Sequence, residues 1–234
     1  MFRMISLLCG IIALSVSAQM NAAEVDFVRA LLDSSGNPEV TVESVAHFDT
    51  NGRIVSLDLH NKDNTKSGLK ALPPEIGKLT QLTSLILGNN SISSLPEEIG
   101  QLTLLKNLDL KYNNLSELPP AIGKLTHLEK LDLRFNQLSS FPMEFFKLER
   151  LDWLQLWSNQ FKTIPEEIVK LTSLRELYLN RNRLTNFPTG ITKMKSLKYV
   201  DFQDNQICNV SPEIAAWLKK KDTQWKAKQT CVEP

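Results

Sequence analysis

Leu82, Leu105, Leu128, Leu151, Leu174 and Leu197 stand 23 residues apart without a slip. That spacing restricts the fold more than any other feature of the chain, because a fixed period of this length marks stacked supersecondary units. Each of these leucines opens a unit of the form L-x-x-L-x-L-x-x-N-x-L. A short polar link follows, then an apolar-Pro pair and an I-x-x-L tail. The unit from Leu105 shows the whole pattern, with Leu108, Leu110, Asn113, Leu115, Leu118-Pro119, Ile122 and Leu125 in place. An earlier copy begins at Ile54 with Leu57 and Leu59. It carries about five extra residues within HNKDNTKSG and rejoins the pattern at Leu69, Leu72-Pro73 and Ile76. Residues 54–217 thus hold seven units.

The spacing within a unit dictates its local structure. Leu108 and Leu110, two apart, fall on the inward face of a short strand, and the residues between and beside them fall on the other. The return segment, for example Leu95-Pro96-Glu97-Glu98-Ile99, suits a short helical turn with Pro at its first position and acidic residues at its positive end. Parallel strands stack at about 4.8 Å per unit, so seven make a sheet roughly 30 Å wide. The return segment is wider than a strand, so the stack bends into an arc with the sheet on its concave side. No unit can bury its apolar edge alone, and both ends need covers.

In this pattern the chain resembles the leucine-rich repeat family, in particular its 23-residue subclass with an L-P-x-x-I-x-x-L tail. The resemblance covers about 70% of the chain. It implies an α/β fold: a right-handed β-α solenoid with a short parallel sheet on the concave face and helical or 3-10 turns on the convex face. Residues 24–53 resemble an N-terminal cap for such an array and residues 218–234 the C-terminal cap. Trp217 takes the return-segment Leu position of the last unit, and Trp225 is expected to close the core beyond it. Arrays of this subclass occur in bacterial surface and secreted proteins and in intracellular signalling scaffolds, and protein binding is what the resemblance implies.

The first 23 residues stand apart from the repeats. Arg3 precedes an uncharged run from Ile5 to Ala18, too short to span a bilayer and suited to the apolar region of a signal peptide. Cleavage is expected after Ala18 or after Ala23. Export leaves only Cys208 and Cys231 in the mature chain, an even pair in an oxidising compartment, and a disulfide between them is expected.

The column Asn90, Asn113, Asn136, Asn159, Asn182 and Asn205 falls where the chain leaves each strand. Buried amides there are expected to satisfy backbone groups that the turn leaves open. Three formal glycosylation sequons, Asn89-Asn-Ser91, Asn114-Leu-Ser116 and Asn209-Val-Ser211, matter only in a eukaryotic secretory route.

Function is expected on the outward positions of the strands. Trp153, Trp157, Tyr178 and Tyr199 converge there on one patch, bordered by Phe135 and Arg134, with Glu176 and Arg181 adding charge. Exposed aromatics of this kind are interface residues, or they stack on one another and shield the sheet; the sequence leaves both open. Asp109 and Asp132, on adjacent strands, are close enough to share a cation or raise one pKa, but Lys111, Lys130 and Arg134 surround them and solvation accounts for the column. His47, His60 and His127 are scattered, and no nucleophile–base pair, phosphate loop or metal-ligand spacing is visible. With 27 basic against 26 acidic residues there is no broad polyanion-binding surface, so nucleic acid is not an expected partner. No membrane span is expected beyond the leader. The reading is a non-enzymatic, cofactor-free, monomeric exported module that binds a protein on its concave face. The alternative is a glycan or cell-wall binder using the same aromatics.

Overall fold

The computed structural model describes residues 20–62 and 68–231. The run expected to be the leader lies outside them up to residue 19. Among the described residues eight strands form one sheet in chain order: β1 (Ala46–Phe48), β2 (Ile54–Asp58), β3 (Ser84–Ile86), β4 (Asn107–Asp109), β5 (Lys130–Asp132), β6 (Trp153–Gln155), β7 (Glu176–Tyr178) and β8 (Tyr199–Asp201). From β2 onward all pairs are parallel, and beyond β3 the register advances by one 23-residue period per strand. Leu85, Leu108, Leu131, Leu154 and Leu177 therefore stand opposite one another. Together with Leu87, Leu110, Leu133, Leu156 and Leu179 they are fully buried. Phe161 and Phe202 are core, as their inward positions require.

The return segments are 3-10 turns such as Glu97–Gln101 and Pro120–Lys124. The proline shared by the units does not take the first helical position. Pro73, Pro96, Pro119, Pro142, Pro165 and Pro188 each sit one residue earlier, in extended conformation. There the fixed φ of proline costs nothing and its carbonyl accepts the first bond of the turn, as Pro96 O does from Ile99 N at 3.1 Å. The acidic residues at the turn start also act on a neighbour. Glu97 accepts from Ala121 N at 3.1 Å, and Glu166 accepts from Thr189 N and Gly190 N at 2.9 and 3.1 Å. Each covers amide groups of the next turn that no helix bond uses. These backbone bonds, Gly190's first, hold the Glu166 carboxyl below the ordinary glutamate range.

The Asn ladder is structural. Asn136 Oδ1 accepts from Leu115 N at 3.0 Å, while its Nδ2 donates to Leu110 O and Leu133 O at 2.9 and 3.0 Å. Asn113, Asn159, Asn182 and Asn205 repeat the arrangement, and Asn90 does so at the first full turn. The residue before each asparagine is held at φ of 53–56°: Asn89, Tyr112, Phe135, Ser158, Arg181 and Asp204. A left-handed residue other than glycine costs roughly 1–2 kcal/mol, and here the amide bonds on either side of the turn hold it in place.

Both ends of the stack are covered by segments that continue these bonds. Helix α1 (Ala22–Ser34) and the single turn α2 (Val42–Val45) lead into β1, which pairs antiparallel with β2, and they contribute Val28, Leu31, Leu32 and Val42 to the same core. The buried Glu24 carboxylate accepts from Ile54 N at 2.7 Å and pairs with Arg53. At the other end helix α3 (Pro212–Lys221) and the turn Trp225–Lys228 bury Ile214, Leu218 and Trp225. Trp217 is half-buried, edge-on to Phe187 at 5.7 Å. Cys208 and Cys231 are joined in a disulfide with their Cα atoms 5.8 Å apart. Inside that loop Gln229 extends the asparagine ladder by one rung. Its Oε1 accepts from Ile207 N at 3.3 Å and its Nε2 donates to Phe202 O at 3.2 Å. The sequence pattern does not show this rung, because the residue is a glutamine and falls outside the period.

Candidate functional site

Alternation along the strands places three residues of every unit on the concave face. The middle one is often aspartate, for a reason that solvation does not capture. Asp58, Asp109, Asp132 and Asp201 each accept, through Oδ1, the backbone N–H two residues on, at 3.0–3.2 Å. The carboxylate thus stabilises the chain where it leaves the strand. Asp109 also pairs with Lys111 at 3.0 Å and Asp132 with Arg134 at 3.1 Å, each partner being two residues away and therefore on the same face.

The eight residues expected to form one patch are arranged as two aromatic rows. At the strand exits Tyr112 stacks on Phe135 with ring centres 4.1 Å apart, and Phe135 meets Trp157 edge-on at 4.4 Å. The guanidinium groups of Arg134 and Arg181 lie 5.9 and 5.8 Å from the centre of the Trp157 ring. On the strands themselves Trp153 meets Tyr178 at 6.2 Å and Tyr178 meets Tyr199 at 5.1 Å. Tyr178 donates to Glu176 at 2.8 Å, and its hydroxyl is pushed up to about 12, first by burial and then by that bond. Tyr112 belongs to the first row although sequence reading did not single it out. Its signal is that it shares with Phe135 the left-handed position before the ladder asparagine.

The rows are partly self-shielding, but they are not closed. Tyr112 and Tyr199 remain 44% and 47% exposed at their ends. Asp132 and Gln155, paired in register on β5 and β6, are buried at 5% and 7% exposure. Burial is the largest influence on Asp132. It lifts the carboxyl from the ordinary 3.8 to about 6, with Asp109 adding to the rise and Arg134 opposing it. Beside them opens a cavity of about 770 Å³, lined by residues from β3 to β7 that include Asp109, Asp132, Trp153 and Glu176.

The histidines are distributed over separate elements. His47 is on β1, His60 follows β2, and His127 meets Thr103 O at 2.9 Å on an exposed return segment. Among the described residues no group of three or more His, Cys, Asp or Glu is placed to hold a metal ion, and no helix is long and apolar enough to cross a membrane.

A family model described as "Leucine-rich repeat region" matches residues 53–136 and 121–220. Among solved structures, the chain is similar to the ectodomain of the membrane receptor kinase GASSHO1/SCHENGEN3 from Arabidopsis thaliana, solved in complex with CASPARIAN STRIP INTEGRITY FACTOR 2. The two are 29% identical with a TM-score of 0.62, over 72% of this chain and 20% of that one. A leucine-rich repeat protein of Leptospira interrogans is 28% identical, with a TM-score of 0.55, over 92% of this chain and 65% of that one. A plant ice-binding protein is 25% identical, with a TM-score of 0.61, over 80% and 73%. The chain spans about a fifth of the length of the plant receptor ectodomains that it matches. No curated protein matches it.

Proposed function

Because the chain belongs to the leucine-rich repeat family, we propose that it is an exported, non-enzymatic module that holds a protein partner on its concave face. The observation that carries this reading is the pair of aromatic rows, the second reaching a charged cavity through Trp153, with Tyr112 and Tyr199 left open to solvent. Trp, Tyr and Arg are the side chains that concentrate binding energy at protein interfaces. The Arabidopsis ectodomain in the comparison is itself in complex with a named factor, which by analogy of fold supports a protein partner here.

The disulfide supports export, since such bonds persist in oxidising compartments. The start of α1 bears on the cleavage position. Asn21 is its N-cap and accepts from Glu24 N at 3.2 Å. Processing after Ala18 leaves that cap in place, whereas processing after Ala23 removes it with the first residues of the helix. We therefore propose Gln19 as the mature N-terminus, which intact-mass measurement of the exported protein tests.

The binding face is tested by the double variant Trp153→Ala/Tyr199→Ala. These two rings carry no side of the Trp157 stack, so the fold is expected to survive. Crosslinking and capture from the native envelope should yield a partner with the parent protein and lose it with the variant. Undiminished capture by the folded variant refutes the concave-face reading. Loss of retention on polysaccharide, with protein capture intact, replaces it with glycan binding.

A further inference from the structure

We propose that one flank of the solenoid, between the return turns and the strand starts, is a basic surface that docks on an anionic lipid bilayer. Docking of this kind is independent of what the concave face holds. The overall balance of 27 basic residues against 26 acidic ones conceals a strong segregation of charge. Each unit crosses this flank in one short segment, from the end of a return turn to the residue before the next strand. Residues 78–83, 101–106, 124–129, 147–152, 170–175 and 193–198 together hold ten basic residues against three acidic ones. The corresponding segments of the opposite flank, from 68–73 to 183–188, hold three against one. Balancing carboxylates stand at the turn starts, where Glu97 and Glu166 cover backbone N–H groups of the next turn.

The acidic residues of the basic flank, Glu129, Glu149 and Asp152, lie in its middle units, and its C-terminal end is wholly basic. Lys170, Arg175, Lys193, Lys195 and Lys198 are exposed there. Lys198 N donates to Arg175 O at 2.9 Å, so the last two units run in register, one strand spacing of about 4.8 Å apart. Lys221 Nζ donates to Leu197 O and Lys198 O at 2.7 and 3.2 Å. That fixes the end of α3 against the same corner and adds the exposed Lys219 and Lys220. Arg175 stands 3.6 Å from the half-exposed Asp152. The six exposed lysines form no ion pair and no side-chain hydrogen bond among the described residues. A lysine that closes a turn or helix suits the negative end of its dipole. Lys195 and Lys198 stand beyond the turn and before the strand, where no dipole calls for them.

The kind of cation and its surroundings select the partner. Apart from Arg175 the positive groups are lysines, hydrated point charges that answer the potential of a surface rather than one forked acceptor. The exposed rings, Tyr112 and Tyr199, belong to the concave rows, which leaves the flank without a platform for stacking bases or sugars. Val169, 39% exposed, instead precedes Lys170 on the same turn. An apolar side chain among lysines suits the headgroup boundary of a bilayer better than a soluble polyanion. Each lysine near an anionic surface strengthens attachment about fivefold. Tyr112, Phe135 and Trp157 follow the far ends of the strands and stay clear of the lipid.

The test uses the folded exported chain and sedimented vesicles of phosphatidylcholine, with or without about 30% phosphatidylglycerol. The chain should sediment with the anionic vesicles at about 0.1 M salt and ignore the neutral ones. It should leave the anionic vesicles at about 1 M salt, where the screening length contracts from ~10 to ~3 Å. Lys193→Gln/Lys195→Gln/Lys198→Gln should weaken binding about a hundredfold. Lys78→Gln/Lys106→Gln/Lys124→Gln, from the other end of the flank, should weaken it less than about tenfold. All six side chains are exposed, so both variants should keep the parent's melting temperature. Sedimentation with neither vesicle, equal sedimentation with both, or no difference between the two triple variants overturns the proposal. So does retention on dextran sulfate without vesicle binding, which assigns the patch to a soluble polyanion. If the parent binds vesicles but captures no protein, the basic flank stands and the concave-face reading falls; capture without vesicle binding does the reverse.

Discussion

Replacing Asp132 by asparagine is expected to stabilise the protein at pH 7.5, although it removes one partner of an ion pair. The carboxyl titrates near 6 in the folded chain against an ordinary value of 3.8, mainly because burial disfavours its charged form. The folded state therefore holds this proton more tightly than the unfolded state does. Between those two values stability falls as pH rises, and above about 6 the full cost is present. At 1.36 kcal/mol per pH unit that cost is about 3 kcal/mol. Asparagine cannot ionise, and its side-chain oxygen can still accept from Arg134 N. The variant should gain roughly 1–3 kcal/mol at pH 7.5, which is about 1 M in urea midpoint for a chain of this size. Urea unfolding followed by circular dichroism at pH 7.5 and pH 3.5 reads both values. The difference should shrink to a few tenths of a kcal/mol at the lower pH, where the parent's Asp132 is protonated in the folded state and mostly protonated in the unfolded one. A variant less stable than the parent at pH 7.5, or an equal difference at both pH values, refutes the reasoning.

Other outcomes follow from the ladder and the ends. Asn136→Ala leaves the Leu115 N–H without its buried acceptor, while the carbonyls of Leu110 and Leu133 keep the bonds from Asn113 and Asn159 Nδ2, and should cost about 1–3 kcal/mol in the same urea assay. Cys208→Ser/Cys231→Ser opens a loop with a sequence separation of 23; a loss of about 3 kcal/mol is expected, matched by adding reductant to the parent protein. Gly123→Ala puts a Cβ 2.2 Å from Glu144 O, where neighbouring turns stack. It should lower stability by about 1–3 kcal/mol, seen as a lower melting temperature.

Much of this fold is legible in the sequence because a solenoid is built from nearest-neighbour contacts. The 23-residue period places Leu108 against Leu131, and Asn113 at the turn, without any long-range information. The Cys208–Cys231 pair follows from parity once export is accepted. The rung supplied by Gln229 is not legible, since it lies beyond the period and depends on how the last turn folds back. The candidate face is half legible. Strand alternation identifies Trp153, Trp157, Tyr178 and Tyr199, but the division into two rows depends on ring packing, and Tyr112 reaches its row only through a left-handed backbone. The burial of Asp132 and Gln155 depends on neighbouring side chains that no periodicity encodes.

The middle concave position shows why the site lies where it does. Where aspartate fills that position, it closes each strand exit by accepting the backbone N–H two residues on. A repeat optimised only for stability would carry this device throughout. At β6 and β7 the position is instead Gln155, with an unpaired buried oxygen, and Tyr178, bonded sideways to Glu176. Immediately before them Asp132 keeps the device but is buried at a cost of about 3 kcal/mol in its charged form. Ile86, Gln155 and Tyr178 depart from the local rule, and the buried Asp132 that precedes the last two lines the cavity together with Trp153 and Glu176. Departures of that kind concentrate where a chain gives up stability for function. On that ground an Asp132→Asn variant that gains stability while losing capture of the protein partner is the paired outcome expected of a recognition site, and a gain in stability with capture unchanged would place recognition elsewhere on the face.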